Sequence, residues 1–171
     1  MPKLDILRFP DPKLHTVAKP VKEIDARIKT LIADMLETMY DAPGVGLAAP
    51  QIGVMLRIIA MDCIKDGPAE PMVLLNPRVT WSSEDVNVYE EGCLSIPDQY
   101  AEVKRPASVT VEWLDLDGTT QERTFSGLWA TCVQHEIDHL DGKLFIDYLG
   151  PLKRQMITRK MEKLKRERAR S

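Results

Sequence analysis

Two histidines four residues apart are the feature of this sequence best suited to chemistry. His135 and His139 enclose Glu136 in the pattern H-E-x-x-H, within a segment, 127–141, whose spacing of apolar residues predicts a helix. Residues i and i+4 share a helix face, so both imidazoles can bind one metal ion. Glu136 is offset by about 100° and can reach a water molecule at that ion without binding the metal. The pattern predicts a metal centre for hydrolysis.

A catalytic site of this kind uses three protein ligands and keeps one position open, so a third ligand is needed. No histidine follows His139, but Glu162 lies at a plausible distance in a basic helix. Cys132 shares the face of the two histidines and would crowd the geometry, which favours a role in a pocket wall. Cys63 ends a predicted strand and is typical of core packing. Cys93, in a separate segment, could complete a Cys-His-His set, and the residues alone leave these alternatives open.

A second specialised segment, residues 44–51, reads GVGLAAPQ. Its small residues leave the backbone exposed and suit a ligand or another strand that approaches closely. A tight turn that leads into the next strand explains the composition equally well. No Lys-Ser/Thr pair ends the run, so a phosphate-binding loop is excluded.

Three motifs together resemble those of the peptide deformylase family. They are GVGLAAPQ (44–51), EGCLS (91–95) and QHEIDHLDG (134–142), in the order in which that family has them. The resemblance extends over nearly the whole chain, from the helix at Asp25 to residues 142–154. It implies an α+β fold with antiparallel strands packed around a central HExxH helix, followed by a C-terminal helix. It also implies a metal-dependent hydrolase that removes the N-formyl group from the formylmethionine of nascent polypeptides and releases formate.

The resemblance also implies the metal centre. Cys93, His135 and His139 would bind one ion per chain, with water in the fourth position. A thiolate with two imidazoles suits Fe²⁺ or Zn²⁺. The family implies Fe²⁺, with replacement by Zn²⁺ or another divalent ion, and ferrous iron beside a thiolate is readily oxidised.

The catalytic roles follow from the same resemblance. Glu136 would act as general base and then as general acid. Gln51 and the backbone N–H of Leu94 would bind the developing oxyanion, and Gly46 would lie beside the substrate backbone.

The substrate pocket is predicted more coarsely. Val45, Leu128 and Cys132 are candidates for an apolar pocket that takes the methionine side chain. Arg105 matches a position that resembles a substrate-contacting arginine of the family. A surface arginine on an edge strand explains that residue nearly as well.

Two helices and a group of strands must position these residues. Asp25 predicts an N-cap for a first helix, whose apolar residues recur at helical spacing until Pro43 and Gly44 end it. Gly142 is predicted as the left-handed C-cap of the H-E-x-x-H helix. The predicted strands are Leu4–Phe9, Leu56–Met61, Met72–Leu75, Val86–Tyr89, Ala101–Lys104, Ser108–Leu114 and Thr119–Phe125. Strands clustered between two helices favour α+β over alternating β-α-β units.

Length and composition bound the remaining possibilities. The chain has 171 residues, which fits one domain, 1–171, and its hydrophobic fraction of 44% excludes a disordered chain. No apolar run is long enough for a membrane-spanning helix. Three cysteines argue against a disulfide framework, and the N-terminal residues resemble no secretion signal. We therefore expect a cytoplasmic protein.

The predicted third helix, 151–171, carries most of the positive charge. Residues 153–170 include nine Lys or Arg and two Glu, whereas the whole chain has 23 basic and 26 acidic residues. Four residues predict a thin apolar stripe along it: Leu152, Met156, Met161 and Leu164. The helix is either a solvated helix end or a surface that docks on ribosomal RNA. A non-catalytic RNA-binding protein with an inert metal is the alternative from another functional class, and a zinc endopeptidase that uses Glu162 is the alternative enzyme.

Overall fold

Two antiparallel sheets and three α-helices occupy the residues that the computed structural model describes, 3–64 and 66–170. The ends of the predicted domain, residues 1–2 and 171, lie outside the described residues, and so does residue 65. The helices are α1 (Ala26–Asp41), α2 (Gly127–Leu140) and α3 (Pro151–Arg170). The strands are β1 (Gly46–Ala48), β2 (Ile58–Met61), β3 (Met72–Ser82), β4 (Val86–Cys93), β5 (Ile96–Pro106), β6 (Ser108–Leu114) and β7 (Thr120–Ser126).

The first sheet has five strands in the order β1-β2-β3-β6-β7, and the second is the β4-β5 hairpin. All five pairings between these strands are antiparallel. Helix α2, which carries the H-E-x-x-H pattern, contacts strands of both sheets. Its residues Val133, Ile137 and Leu140 are buried in one core with Ile59 of β2 and Val111 of β6. The predicted α+β fold with a central helix is therefore confirmed.

Helix α1 forms as its sequence predicts. Asp25 caps it, because its carboxylate accepts a hydrogen bond of 3.1 Å from the backbone N–H of Ile28. Met35 and Met39 point inwards and are fully buried against β1 and β2. The helix ends at Asp41, two residues before Pro43.

The predicted strand Leu4–Phe9 is wrong. This segment is irregular, and its backbone N–H groups donate to three distant partners. Leu4 donates to Oγ1 of Thr38 at 2.9 Å, Leu7 to the carbonyl oxygen of Gln51 at 2.7 Å and Phe9 to that of Ser95 at 2.8 Å. Single bonds to three separate segments do not make a strand ladder.

Strand β3 continues past the predicted stop at Asn76-Pro77. Asn76 adopts a positive φ of 51°, and the strand register shifts between Leu75 and Arg78. The side chain of Asn76 accepts from the backbone N–H of Val21 at 2.8 Å and donates to its carbonyl oxygen at 3.0 Å. This irregularity accommodates the proline, which lacks an N–H for the ladder.

The β4-β5 hairpin is longer than the two short strands predicted for it. It extends to Cys93 on one side and from Ile96 on the other, so that Leu94-Ser95 forms the turn between them. The inward-facing positions include Glu91 and Arg105, both buried, and these charges interrupt the apolar alternation on which strand prediction depends.

Helix α3 begins at Pro151 as predicted, but its apolar stripe is only partly correct. Met161 and Ile157 are buried, and Leu164 packs beside them. Leu152 and Met156, by contrast, are 74% and 53% exposed. Within the described part of the chain, no helix combines the length and hydropathy needed to cross a lipid bilayer.

Candidate active site

A cavity of about 550 Å³ opens between the two sheets and α2. One wall is formed by residues 43–46, the opposite wall by residues 89–94 and 96–100 of the hairpin, and the floor by α2. Of the residues predicted for the substrate pocket, Val45, Leu128 and Cys132 line this cavity, and Gly46 lines it as well.

Three potential metal ligands meet beside the cavity, and two of them, Cys93 and His135, line it. The Sγ atom of Cys93 lies 3.4 Å from Nε2 of His139, which lies 3.2 Å from Nε2 of His135. All three ligand atoms lie within 4.8 Å of one another, and the two histidines are buried. One of these side chains comes from the end of β4 and the other two from one face of α2. They are the three residues that the resemblance implied as ligands. Glu162 lies on the exposed side of α3, outside this group, so the alternative that used it as a ligand is wrong.

The three atoms are suitable for one divalent cation. Ligands bound at about 2.0–2.3 Å to a tetrahedral ion lie about 3.3–3.6 Å apart, close to the separations found here. One thiol and two imidazoles offer the donor set of zinc and iron sites. The Nδ1 atom of His135 is hydrogen-bonded to Glu91 at 2.9 Å, which directs the Nε2 atom towards the group.

Glu136 lies beside the ligand group and is held in a restricted space. Its Oε1 atom is buried and has no hydrogen-bond partner among the described residues. A Cβ atom on Gly46 would lie 2.5 Å from its Oε2 atom and 2.9 Å from Sγ of Cys132, so only glycine allows this approach. Burial raises the pKa of Glu136 to about 7, which is suitable for a group that accepts and returns a proton near neutral pH.

The side-chain amide of Gln51 points at the ligand group. Its Oε1 atom accepts a hydrogen bond from the backbone N–H of Ala48 at 2.9 Å, so that Nε2 faces the other way. This nitrogen donates to Oγ of Ser95 at 3.1 Å and to Sγ of Cys93 at 3.5 Å. Leu94, in the hairpin turn, also lines the cavity. An amide donor is thus positioned beside a candidate metal site.

A buried network of charged side chains contacts the potential ligand His135 through Glu91. The guanidinium of Arg105 donates two hydrogen bonds to Glu91, at 2.7 and 3.0 Å, and a third to Asp138 at 2.8 Å. Tyr148 donates to the same Asp138 oxygen at 2.8 Å, and its ring lies 4.8 Å below the guanidinium. Burial would raise the pKa of Glu91, but its bonds with His135 and Arg105 outweigh it and lower that pKa.

The prediction that Arg105 contacts the substrate is wrong. This residue is 4% exposed, does not line the cavity, and directs its guanidinium to Glu91 and Asp138. The alternative interpretation as a surface arginine is wrong for the same reason. Arg105 acts as a support for the carboxylate that orients a ligand.

Sequence reasoning gave no role to four residues of this region. They are Glu91, Ser95, Tyr100 and Asp138. Glu91 and Ser95 flank Cys93 within one motif, and Asp138 lies between the two histidines, so proximity to the motifs was the available indication. Nothing in the sequence distinguishes Tyr100, whose position at the cavity follows only from the fold of the hairpin.

Comparison with known proteins gives concordant matches. The family model of polypeptide deformylase matches residues 3–155. A peptide deformylase of Rhizobium meliloti (strain 1021) is 56% identical over 164 residues, which are 95% of this chain and 94% of that protein. The crystal structure of a peptide deformylase from Legionella pneumophila has a TM-score of 0.92 at 50% identity and covers 99% of both chains. That from Ehrlichia chaffeensis in complex with actinonin has a TM-score of 0.93 at 36% identity, with 97% and 99% covered.

Proposed function

Because this chain belongs to the polypeptide deformylase family, it is a metal-dependent hydrolase that removes N-formyl groups from nascent peptides, and we propose which residues carry the reaction. The ligands are Cys93, His135 and His139, and Glu136 carries the proton. The meeting of the three ligand atoms within 4.8 Å of one another, next to a cavity that Cys93, His135 and Glu136 line, is the observation that supports this assignment.

We propose that the resident ion is Fe²⁺ and that Zn²⁺ can replace it. A divalent ion held there would supply Lewis acidity, which lowers the pKa of water and polarises a carbonyl group. The thiol of Cys93 favours soft or borderline ions over Mg²⁺ or Ca²⁺. An Fe²⁺ site with a thiolate ligand loses activity in air.

Glu136 moves the proton in this scheme. Its carboxylate removes a proton from the water that attacks the formyl carbon. It then gives the proton to the amine nitrogen as the C–N bond breaks. The products are formate and a free N-terminal methionine, and Glu136 returns to its starting charge.

Gln51 and Leu94 stabilise the negative charge that develops on the formyl oxygen. The Nε2 group of Gln51 and the backbone N–H of Leu94 serve as donors to that oxygen. The bond from Ala48 fixes the Gln51 amide before substrate arrives, so little reorganisation is needed. One such donor contributes about 3–4 kcal/mol to the transition state.

The methionine side chain occupies the apolar part of the cavity, beside Val45, Leu128 and Cys132. The peptide backbone extends along the edge strand β1 next to Gly46, where backbone hydrogen bonds are insensitive to side-chain identity. The substrate is therefore a formylmethionyl peptide of variable downstream sequence.

The test is formate release from formyl-Met-Ala-Ser by protein that is purified anaerobically and loaded with iron. We expect Glu136→Gln to lower kcat by at least about 10²-fold while metal content and fold are kept. Cys93→Ser should lose the metal. If Glu136→Gln turns over at the wild-type rate, or if Cys93→Ser keeps its ion, the assignment of residues is wrong.

We further propose that residues 1–171 form one domain which acts in the cytoplasm and docks on the ribosome through α3. All nine basic residues of α3 are exposed, whereas Ile157 and Met161 attach the helix to the body. A basic surface of this kind binds phosphates in a salt-dependent manner. Its function would be to hold the cavity near emerging chains.

A further inference from the structure

A short helix beside the candidate metal centre has no part in the scheme above. It spans Phe145–Tyr148 and connects α2 to α3. Its first and last residues are aromatic. Phe145 is buried, whereas Tyr148 is 49% exposed. Both side chains lead to His135, one by direct contact and the other through a series of hydrogen bonds.

The ring of Phe145 packs on the imidazole of His135. The two ring centroids lie 6.1 Å apart, and the ring planes differ by 24°, which is a stacked arrangement. Aromatic rings attract each other at such separations when they are offset. The imidazole is therefore restrained on one face by Phe145 and at its edge by Glu91, whose carboxylate binds Nδ1 at 2.9 Å.

Tyr148 reaches the same imidazole through the buried ion pairs. Its hydroxyl group donates to Oδ2 of Asp138, which also accepts from Nη1 of Arg105, each at 2.8 Å. The centre of its ring lies 4.8 Å from Cζ of Arg105. One side chain thus contacts both members of an ion pair and restrains their relative position. Arg105 in turn binds Glu91 with two hydrogen bonds.

Tyr148 is the member of this network that reaches solvent. The side chains of Glu91, Arg105 and Asp138 are 4%, 5% and 14% exposed. Arg105, Asp138 and Tyr148 line a second cavity of about 300 Å³, beside a different face of α2 from the active-site cavity. A water molecule that replaced the hydroxyl group there would cost entropy to immobilise, so Asp138 would be held less firmly.

We propose that Phe145 and Tyr148 are positioning residues for the metal ligand His135. Phe145 fixes the plane of the imidazole. Tyr148 holds the ion pair of Arg105 and Asp138, on which the orientation of the imidazole depends. Neither aromatic residue lines the active-site cavity, so both act on the metal centre and not on the peptide. This inference rests on the proposed function, because it requires that His135 binds the ion.

The role of Tyr148 is tested by the affinity for Zn²⁺, measured by competition with a chromophoric chelator. Tyr148→Phe keeps the ring and removes only the hydroxyl group. We expect the affinity to fall about threefold to tenfold, which is less than the loss of about tenfold to 100-fold for a residue that bonds to a ligand directly. Tyr40→Phe is the matched control and should stay within twofold of wild type. The Tyr40 hydroxyl group also donates to a carboxylate, that of Asp62 at 2.7 Å, but this pair lies outside the network.

A double-mutant cycle separates this route from a general loss of stability. In an Asp138→Ala background the hydroxyl group of Tyr148 has lost its acceptor, so Tyr148→Phe should change the affinity for Zn²⁺ by less than twofold.

The role of Phe145 is tested by the visible absorption spectrum of the Co²⁺-loaded protein, which responds to the arrangement of the ligands. Phe145→Leu keeps an apolar side chain but removes the stacked ring, so we expect the bands to shift. Phe125→Leu is the control and should keep the wild-type spectrum, because Phe125 is equally buried but packs against Trp113 in the other core.

The role of Tyr148 is overturned if Tyr148→Phe lowers the affinity by less than threefold, if Tyr40→Phe lowers it equally, or if the effect is undiminished in the Asp138→Ala background. The role of Phe145 is overturned if Phe145→Leu keeps the wild-type spectrum or if Phe125→Leu shifts it equally. Wild-type protein that binds neither Zn²⁺ nor Co²⁺ would instead refute the proposed function itself.

Discussion

At the residue scale, the buried pair of Glu91 and Arg105 is the clearest case of charge used for orientation. Taking two charges out of water is expensive, so a buried ion pair contributes little net stability. Here the pair has a second task, because Glu91 also binds Nδ1 of His135 and thereby fixes which imidazole nitrogen faces the ligand group. Residues that hydrogen-bond to a metal ligand, rather than to the metal itself, raise the affinity for the metal by fixing the orientation of that ligand.

The first prediction concerns Arg105→Lys. Lysine keeps the charge but cannot donate two parallel hydrogen bonds to one carboxylate, so Glu91 loses its fixed orientation. We expect the affinity for the ion to fall about tenfold to 100-fold, measured by equilibrium competition with a chromophoric chelator. Arg78→Lys is the control, because Arg78 also binds a carboxylate but is largely exposed. Affinity within twofold of wild type in a folded Arg105→Lys protein would contradict this role.

The proposed metal ligands show which site residues can be predicted from the sequence alone. The spacing of His135 and His139 alone predicts a shared helix face, because helical periodicity is local. Cys93 is 46 residues from His139, and no periodicity connects them. Only the resemblance of three ordered motifs selected Cys93 from the cysteines, and it misled at Arg105, where burial could not be foreseen.

At the scale of helices and strands, predictions were correct where residues close together in the sequence determine the structure. Helix α1 begins where Asp25 predicts an N-cap, and β6 and β7 lie within one residue of the predicted strands Ser108–Leu114 and Thr119–Phe125. The errors arose where distant partners satisfy the backbone, as at Asn76, whose side chain binds Val21 and lets β3 continue. Contacts between segments far apart in sequence leave no periodic pattern.

The hydrogen bonds that join α1 to the segment after β2 depend on pH. Asp62, just after β2, accepts hydrogen bonds from the hydroxyl group of Tyr40 in α1 at 2.7 Å and from the backbone N–H groups of Ile64 and Glu70, each at 3.0 Å. Burial would raise the pKa of Asp62, but these bonds outweigh it and lower that pKa. The contribution of Asp62 to stability is therefore complete above the ordinary carboxyl pKa and is lost as the pH falls through the lower pKa of the folded state.

We expect Asp62→Asn to reduce the free energy of unfolding by about 1–3 kcal/mol at pH 7, because donors that bind a carboxylate lose their charged acceptor. The difference from wild type should shrink as the pH is lowered below 4, roughly the ordinary carboxyl pKa. Urea unfolding of metal-loaded protein at several pH values measures it. Glu122→Gln, on an exposed strand, is the control. A difference that is independent of pH would show that the carboxylate charge does not contribute.

At the scale of the whole molecule, charge is distributed unevenly. The chain is acidic overall, yet α3 concentrates nine of its 23 basic residues on one exposed helix. The helix cannot be removed to test its role, because Ile157 and Met161 belong to a core that includes Phe145 and Ile96. Charge reversal on the exposed face leaves that core intact.

The last prediction therefore uses the triple variant Arg159→Glu, Lys163→Glu and Arg166→Glu, which reverses three exposed charges spaced along α3. Docking on ribosomal RNA through phosphate contacts requires these charges, so ribosome affinity should fall at least tenfold and depend less on salt concentration. Formate release from a short peptide should stay within twofold of wild type, because none of the three residues lines the cavity. The matched control makes the same change of charge on the body: Lys22→Glu, Lys29→Glu and Lys143→Glu. If both variants lose ribosome binding equally, net charge and not α3 is responsible, and if neither does, α3 is a solvated helix end.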